Sequence, residues 1–131
     1  MKILIVEDDI TSRIVMQEYL VPYGECHVAA NGEEVLKAFR LASVQNSRYD
    51  LICLDIMMPD IDGHTVLTEI RKIETSKGIF PPNAVKIIMT TALSDAKNVM
   101  NAFKEQCEAY LVKPVRREKL IQTLRDLKLI E

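Results

Sequence analysis

Four apolar runs in this chain end in residues that can do chemistry together. Ile3 to Val6 runs into Glu7-Asp8-Asp9, and Leu51 to Leu54 runs into Asp55, just before Met57-Met58-Pro59-Asp60. Val85 to Met89 leads to Thr91, and Ala109 to Val112 leads to Lys113. Carboxylates gathered at neighbouring strand ends are costly unless a cation neutralises them. Hard oxygen ligands suit Mg²⁺, which takes octahedral coordination and shares it with phosphate oxygens. An aspartate is also a competent nucleophile towards phosphorus, giving an acyl phosphate. Glu7, Asp8, Asp55, Thr91 and Lys113 therefore form a metal and phosphate set.

The segments between these positions determine whether they can meet. Lys2 to Val6, Leu51 to Leu54 and Val85 to Met89 are short, continuous apolar runs, the pattern of strands covered on both faces. Cys26 to Ala30 and Ala109 to Val112 are two weaker strands. Helical stripes lie over Thr11 to Leu20, over the segment after Asn31-Gly32-Glu33-Glu34, after Gly63, over Asp95 to Phe103, and over Arg117 to Leu127. Thr75 to Asn83, with Gly78 and Pro81-Pro82, reads as a loop. Five strands alternating with five helices, without hairpin signals, predict a parallel α/β sheet between helix layers. In such sheets ligands bind outside the carboxyl ends of the strands, where the chemically suspicious residues lie.

The totals fit one globular domain over residues 1–131, with 48% hydrophobic and 27% charged positions. A net charge of −2 and scattered Lys and Arg give no footprint for direct nucleic-acid binding. Cys26, Cys53 and Cys107 form no C-x-x-C pair, so neither a disulfide framework nor a zinc site is indicated and a reducing, cytoplasmic setting is expected. No run reaches the length of a membrane span, so no membrane partner is expected.

Ile3-Leu4-Ile5-Val6-Glu7-Asp8-Asp9, Asp55-Ile56-Met57-Met58-Pro59-Asp60-Ile61-Asp62-Gly63, Met89-Thr90-Thr91-Ala92 and Tyr110-Leu111-Val112-Lys113-Pro114 follow one another at successive strand ends. In this order they resemble the receiver domain of two-component response regulators, most of all the single-domain receivers related to the chemotaxis receiver. The resemblance spans nearly the whole chain. It implies a flavodoxin-like (βα)5 three-layer sandwich with strand order 2-1-3-4-5.

It further implies that Asp55 accepts a phosphoryl group from a sensor histidine kinase or a histidine phosphotransfer protein, with Mg²⁺ as cofactor and Mn²⁺ able to substitute. Asp8 and Asp55 are then metal ligands, Glu7 binds through water, and Met57 contributes its backbone carbonyl. Lys113, before a cis Pro114, pairs with the phosphoryl oxygens. Thr91 moves towards the phosphoryl group and Tyr110 turns inward behind it. This switch alters the face made by Asp95 to Phe103, Ala109 to Val112 and Arg117 to Leu127. Receivers of this kind catalyse only their own phosphotransfer and autodephosphorylation, and are monomers or phosphorylation-promoted dimers. Apolar Met57 and Leu93 at the pocket rim imply slow loss of the phosphoryl group, and the Thr75 to Asn83 loop is longer than in the most compact receivers.

Other residues read more plainly. Asp60 and Asp62 are turn and cap residues, His64 lies on a helix surface, Cys53 is core, and Asp9 has no direct role. Only Lys128 to Glu131 follow Leu127. The chain is therefore expected to act on a downstream protein, whose identity the sequence does not give, rather than through an output domain of its own. A phosphohydrolase using an aspartyl phosphate commonly has a second acid two residues after the nucleophile, where this chain has Met57. A flavodoxin-like electron carrier needs a hydroxyl- and glycine-rich loop where Glu7-Asp8-Asp9 stands.

Overall fold

A computed structural model describes residues 1–92 and 106–131, together with 97, 100, 101 and 104. Strands β1 (Lys2–Val6), β2 (Glu25–Ala29), β3 (Leu51–Asp55), β4 (Lys86–Thr91) and β5 (Ala109–Val112) form one parallel sheet in the order β2-β1-β3-β4-β5. Helices α1 (Ile10–Leu20), α2 (Gly32–Val44), α3 (Gly63–Ser76) and α4 (Arg117–Asp126) cover it. This is the expected doubly wound, flavodoxin-like sandwich. Most of the helix anticipated over Asp95 to Phe103 lies outside the described residues.

The runs are continuously apolar because alternate side chains enter two separate cores. Leu4, Val6, Ile52, Leu54, Ile87 and Met89 pack under α2 and α3 against Val35, Phe39, Val66, Leu67 and Ile70. Ile3, Ile5, Leu51, Cys53, Ile88 and Leu111 pack under α1 and α4 against Met16, Leu20, Leu120, Ile121 and Leu124. Each such fully buried aliphatic side chain stabilises the fold by about 1.5–3 kcal/mol, so the edge that carries the acidic residues is rigid. Cys53 is buried in this core, as expected, and its thiol pKa is pushed up to about 12 by burial.

Boundaries shift in places. Strand β4 runs on through Thr90 and Thr91, both buried, because each has a neighbouring strand to pair with: Thr90 lies opposite Asp55 and Leu111, and Thr91 opposite Val112. Thr75 and Ser76 belong to α3 rather than to the loop. The helix ends at Ser76, and beyond it the Gly78 and Ile79 amides bond back to the Thr75 and Glu74 carbonyls. After α1 a short 3₁₀ turn, Val21–Tyr23, takes up Pro22. Among the described residues no helix is long and apolar enough to cross a membrane.

Candidate functional site

Register alone brings the strand ends together. Val6 pairs with Leu54 and Asp55 with Thr90, so Glu7 and Asp55 emerge side by side at the carboxyl edge. Glu7 and Asp55 are almost wholly buried, at 2% and 3% exposure, while Asp8 is exposed. Carboxylate oxygens of all three lie within 4.8 Å of one another. That is the spacing of a cation site with oxygen ligands, and the donor set fits Mg²⁺.

Lys113 reaches this cluster from the end of β5. Its Nζ lies 2.5 Å from Glu7 Oε2 and 3.2 Å from Asp55 Oδ2. The Lys113 amide donates to the Thr91 carbonyl at 2.6 Å, which fixes the backbone that carries the side chain. The Lys113–Pro114 peptide is cis, as expected. Burial works against the Lys113 ammonium, but the hydrogen bond to Glu7 and the charge of Asp55 outweigh it and raise its pKa. Burial lifts the Glu7 carboxyl from 4.5 to about 7; the Lys113 hydrogen bond opposes the rise and the charge of Asp55 adds to it. One ammonium does not balance three carboxylates, so the cluster is left short of positive charge.

The loop after β3 is held against the site. The Met57 amide donates to Asp55 Oδ1 at 3.1 Å, while the Met57 side chain is 59% exposed. Gly63 closes the loop, its amide donating to the Ile56 carbonyl at 2.8 Å. A Cβ at Gly63 would lie 2.6 Å from the Asp55 carbonyl oxygen, so only glycine lets α3 begin this close to the candidate nucleophile. Asp62 caps α3 by accepting from the Thr65 amide at 2.9 Å, and Asp9 caps α1 by accepting from the Ser12 amide at 2.9 Å. His64 is half-buried rather than exposed.

Thr91 and Tyr110 are adjacent to this edge without belonging to the acidic cluster. Thr91 follows Met89 by two positions and so faces the α2–α3 core, where Tyr110 also packs. Leu93, the second expected rim residue, lies outside the described residues. Beside Glu7 and Lys113 a cavity of about 190 Å³ opens between α1 and the start of the segment after β5, lined by Val15, Met16 and Val115 among others.

Two partnerships have no counterpart among the expectations from sequence. Asp60 accepts from the Gly32 and Glu33 amides at 2.9 and 3.0 Å, capping a helix far upstream. At the opposite edge of the sheet, Arg71, Glu74 and Glu108 form an ion network in which Glu74 is buried and the other two are half-buried. Neither carries a local signal, since the partners are brought together only by the fold.

Residues 3–125 match the response regulator receiver domain family, and the chain belongs to it. Receivers are signalling domains of two-component systems rather than catalytic enzymes; they switch on phosphorylation and bind Mg²⁺ at an acidic pocket. The chain is 35% identical over 127 residues, 96% of its length, to a probable transcriptional regulator, ycf27, of Cyanophora paradoxa, and covers 47% of that protein. It thus spans about half the length of the curated relatives it matches. The chemotaxis protein CheY4 of Vibrio cholerae superposes with a TM-score of 0.77 at 28% identity, covering 96% of this chain and 97% of that one. The same fold occurs in the receiver domain of Ssk1 from Saccharomyces cerevisiae, solved with the histidine phosphotransfer protein Ypd1 (TM-score 0.83, 24% identity, 97% and 88% covered).

Proposed function

We propose that Asp55 is the phosphoacceptor of this receiver, taking its phosphoryl group from the phosphohistidine of a sensor histidine kinase or a histidine phosphotransfer protein. The observation that carries the reading is Lys113 Nζ set between two buried carboxylates, Glu7 and Asp55, with Asp8 beside them. Asp55 Oδ attacks phosphorus in line as the donor's P–N bond breaks; the bond's electron pair leaves with the imidazole nitrogen, which takes up a proton. Lys113 is placed to leave Asp55 Oδ2 for the oxygens of the incoming phosphoryl group, carrying its point charge with it. Asp8 and Asp55 would hold Mg²⁺ directly, Met57 through its carbonyl and Glu7 through water. When bound, the cation offsets charge building on the transferring phosphoryl group.

The new phosphoryl group adds about 1.5 to 2 negative charges at the edge of β3. Thr91, on the next strand, answers with its hydroxyl, and Tyr110, on the same face as Thr91, follows into the space it leaves. The readout is the surface about β5 and α4, and its reader is a separate protein or a further part of a longer regulator. Residues 1–131 act as one receiver unit. Met57 at the rim presents no polar group to orient water, so autodephosphorylation is slow.

The test uses acetyl phosphate or phosphoramidate with Mg²⁺. Wild type gains one phosphoryl group by intact mass, and Asp55→Asn gains none. Full, acid-stable labelling of the Asn variant would sink the assignment.

A further inference from the structure

We infer that Asp60 is a positioning residue for the cation site, holding the Met57 segment in place by tethering its loop to the N-terminus of α2. The inference rests on the reading of Glu7, Asp8, Asp55 and the Met57 carbonyl as the Mg²⁺ shell.

Helix α2 cannot satisfy its own first amides. Its N-cap, Asn31, takes the Glu34 amide at 2.9 Å. The Gly32 and Glu33 amides remain, and Asp60 accepts both, one on each carboxylate oxygen. These bonds, that to Gly32 foremost, hold the Asp60 carboxyl below the usual carboxylate range. A negative group at the positive end of a helix is favourable in itself. Here that group comes from the loop that carries Met57.

The contact is built from both sides. A Cβ on Gly32 would lie 2.8 Å from the Ile61 Cβ and 3.1 Å from Val66 Cγ2, so α2 starts in direct contact with this loop only because residue 32 is glycine. The loop is then held at its base by the Ile56–Gly63 bond, along its inner side by Met58 and Ile61 packing on the core, and at its apex by Asp60. Met57 lies between base and apex with its side chain in solvent, so its own hold on the site is its amide bond to Asp55 Oδ1 rather than packing. The apex contact therefore limits how far the Met57 carbonyl can move from the cluster. Loss of that contact loosens the loop without unfolding it.

Calorimetric titration with MgCl₂ on wild type, Asp60→Ala, Asp60→Asn and Gly32→Ala tests this. Asp60→Ala should bind Mg²⁺ about tenfold more weakly, the cost of losing an outer partner of a metal ligand. Asp60→Asn, which keeps one acceptor oxygen, should fall between it and wild type. Gly32→Ala should weaken binding from the other side of the contact. By reciprocity, Mg²⁺ should slow hydrogen exchange at the Gly32 and Glu33 amides of wild type and have no such effect in Asp60→Ala. Unchanged Mg²⁺ affinity in both Asp60 variants, with only a lower melting temperature, would reduce Asp60 to a helix cap and overturn the inference. If wild type takes up no Mg²⁺, or Asp8→Ala binds as well as wild type, the cation-site reading fails first and takes this inference with it.

Discussion

At opposite edges of the sheet, two partly buried clusters each set carboxylates against a single basic side chain, and the fold treats them differently. At the amino edge of β4 and β5, Arg71 donates to Glu74, to Glu108 and to the carbonyls of Val85 and Gln106. Both acids also receive a backbone amide, Glu74 from Val85 at 2.7 Å and Glu108 from Ile87 at 2.6 Å. All donor groups of the guanidinium are engaged. At the carboxyl edge, Lys113 is a point charge shared by Glu7 and Asp55, and the added amide bonds are longer, 3.3 Å to Glu7 and 3.1 Å to Asp55. The first cluster is closed. The second is left short of positive charge at the place where a cation and a phosphoryl group would enter.

The largest effect should come from removing the cation of each cluster. Arg71→Ala strands the buried Glu74 carboxylate and takes the direct ionic partner from the half-buried Glu108, leaving Glu108 the charge of Lys86, and should cost about 3–5 kcal/mol. Lys113→Ala should cost less, about 1–3 kcal/mol, because Glu7 already titrates near 7 and takes up a proton instead. Urea denaturation with and without Mg²⁺ separates the two: saturating Mg²⁺ should restore most of the Lys113→Ala loss and little of the Arg71→Ala loss. Equal recovery in both variants would erase the distinction between a closed cluster and an open one.

These differences also explain what could be read from the sequence. Asp55, Glu7, Asp8 and Lys113 were legible because each interrupts an apolar run, and in a parallel sheet the ends of such runs must converge. Arg71 and Glu74 look like an ordinary i,i+3 pair on a helix surface, and Glu108 is a lone acid before a short strand; their partnership exists only in three dimensions. Asp60 had the look of a turn residue for the same reason. The end of β4 was misplaced because pairing with Asp55 and Val112 keeps two threonines in a strand that the apolar pattern ends at Met89. The left-out acids and cations are those whose chemistry is satisfied by backbone groups far away in sequence.

A middle-sized effect follows from pH. Glu7 has its carboxyl raised from 4.5 to about 7 in the fold, so between those values the folded chain keeps a proton that the unfolded chain has lost. Stability therefore falls as pH rises through this window: the Glu7 contribution is fully present below about 4.5 and gone above about 7. Glu108 is also raised by burial, but the Ile87 amide and Arg71 oppose the rise. Denaturation midpoints of metal-free protein should decline across the window, and Glu7→Gln should flatten the decline. Mg²⁺ should flatten it too, by stabilising the carboxylate. An equal slope in wild type and Glu7→Gln would place the open cluster's strain on another residue.

The smallest effect tests the boundary of the open cluster. Asp8 and Asp9 are adjacent and both exposed, yet the structure gives them different work. Asp8 contributes to the group of oxygens within 4.8 Å, whereas Asp9 turns back onto α1 and accepts from the Ser12 amide; hydrogen bonding to the Ser12 side chain first, and to its amide next, lowers the Asp9 pKa. A cap acts on the helix, and a ligand acts on the ion. Asp9→Ala should lower the melting temperature slightly and leave the Mg²⁺ dissociation constant unchanged; Asp8→Ala should weaken Mg²⁺ binding while leaving metal-free stability equal to or above wild type, since it removes a repelling charge. If Asp9→Ala weakened Mg²⁺ binding as much as Asp8→Ala, the open cluster would extend into the first turn of α1, and the cap would be serving the cation as well as the helix.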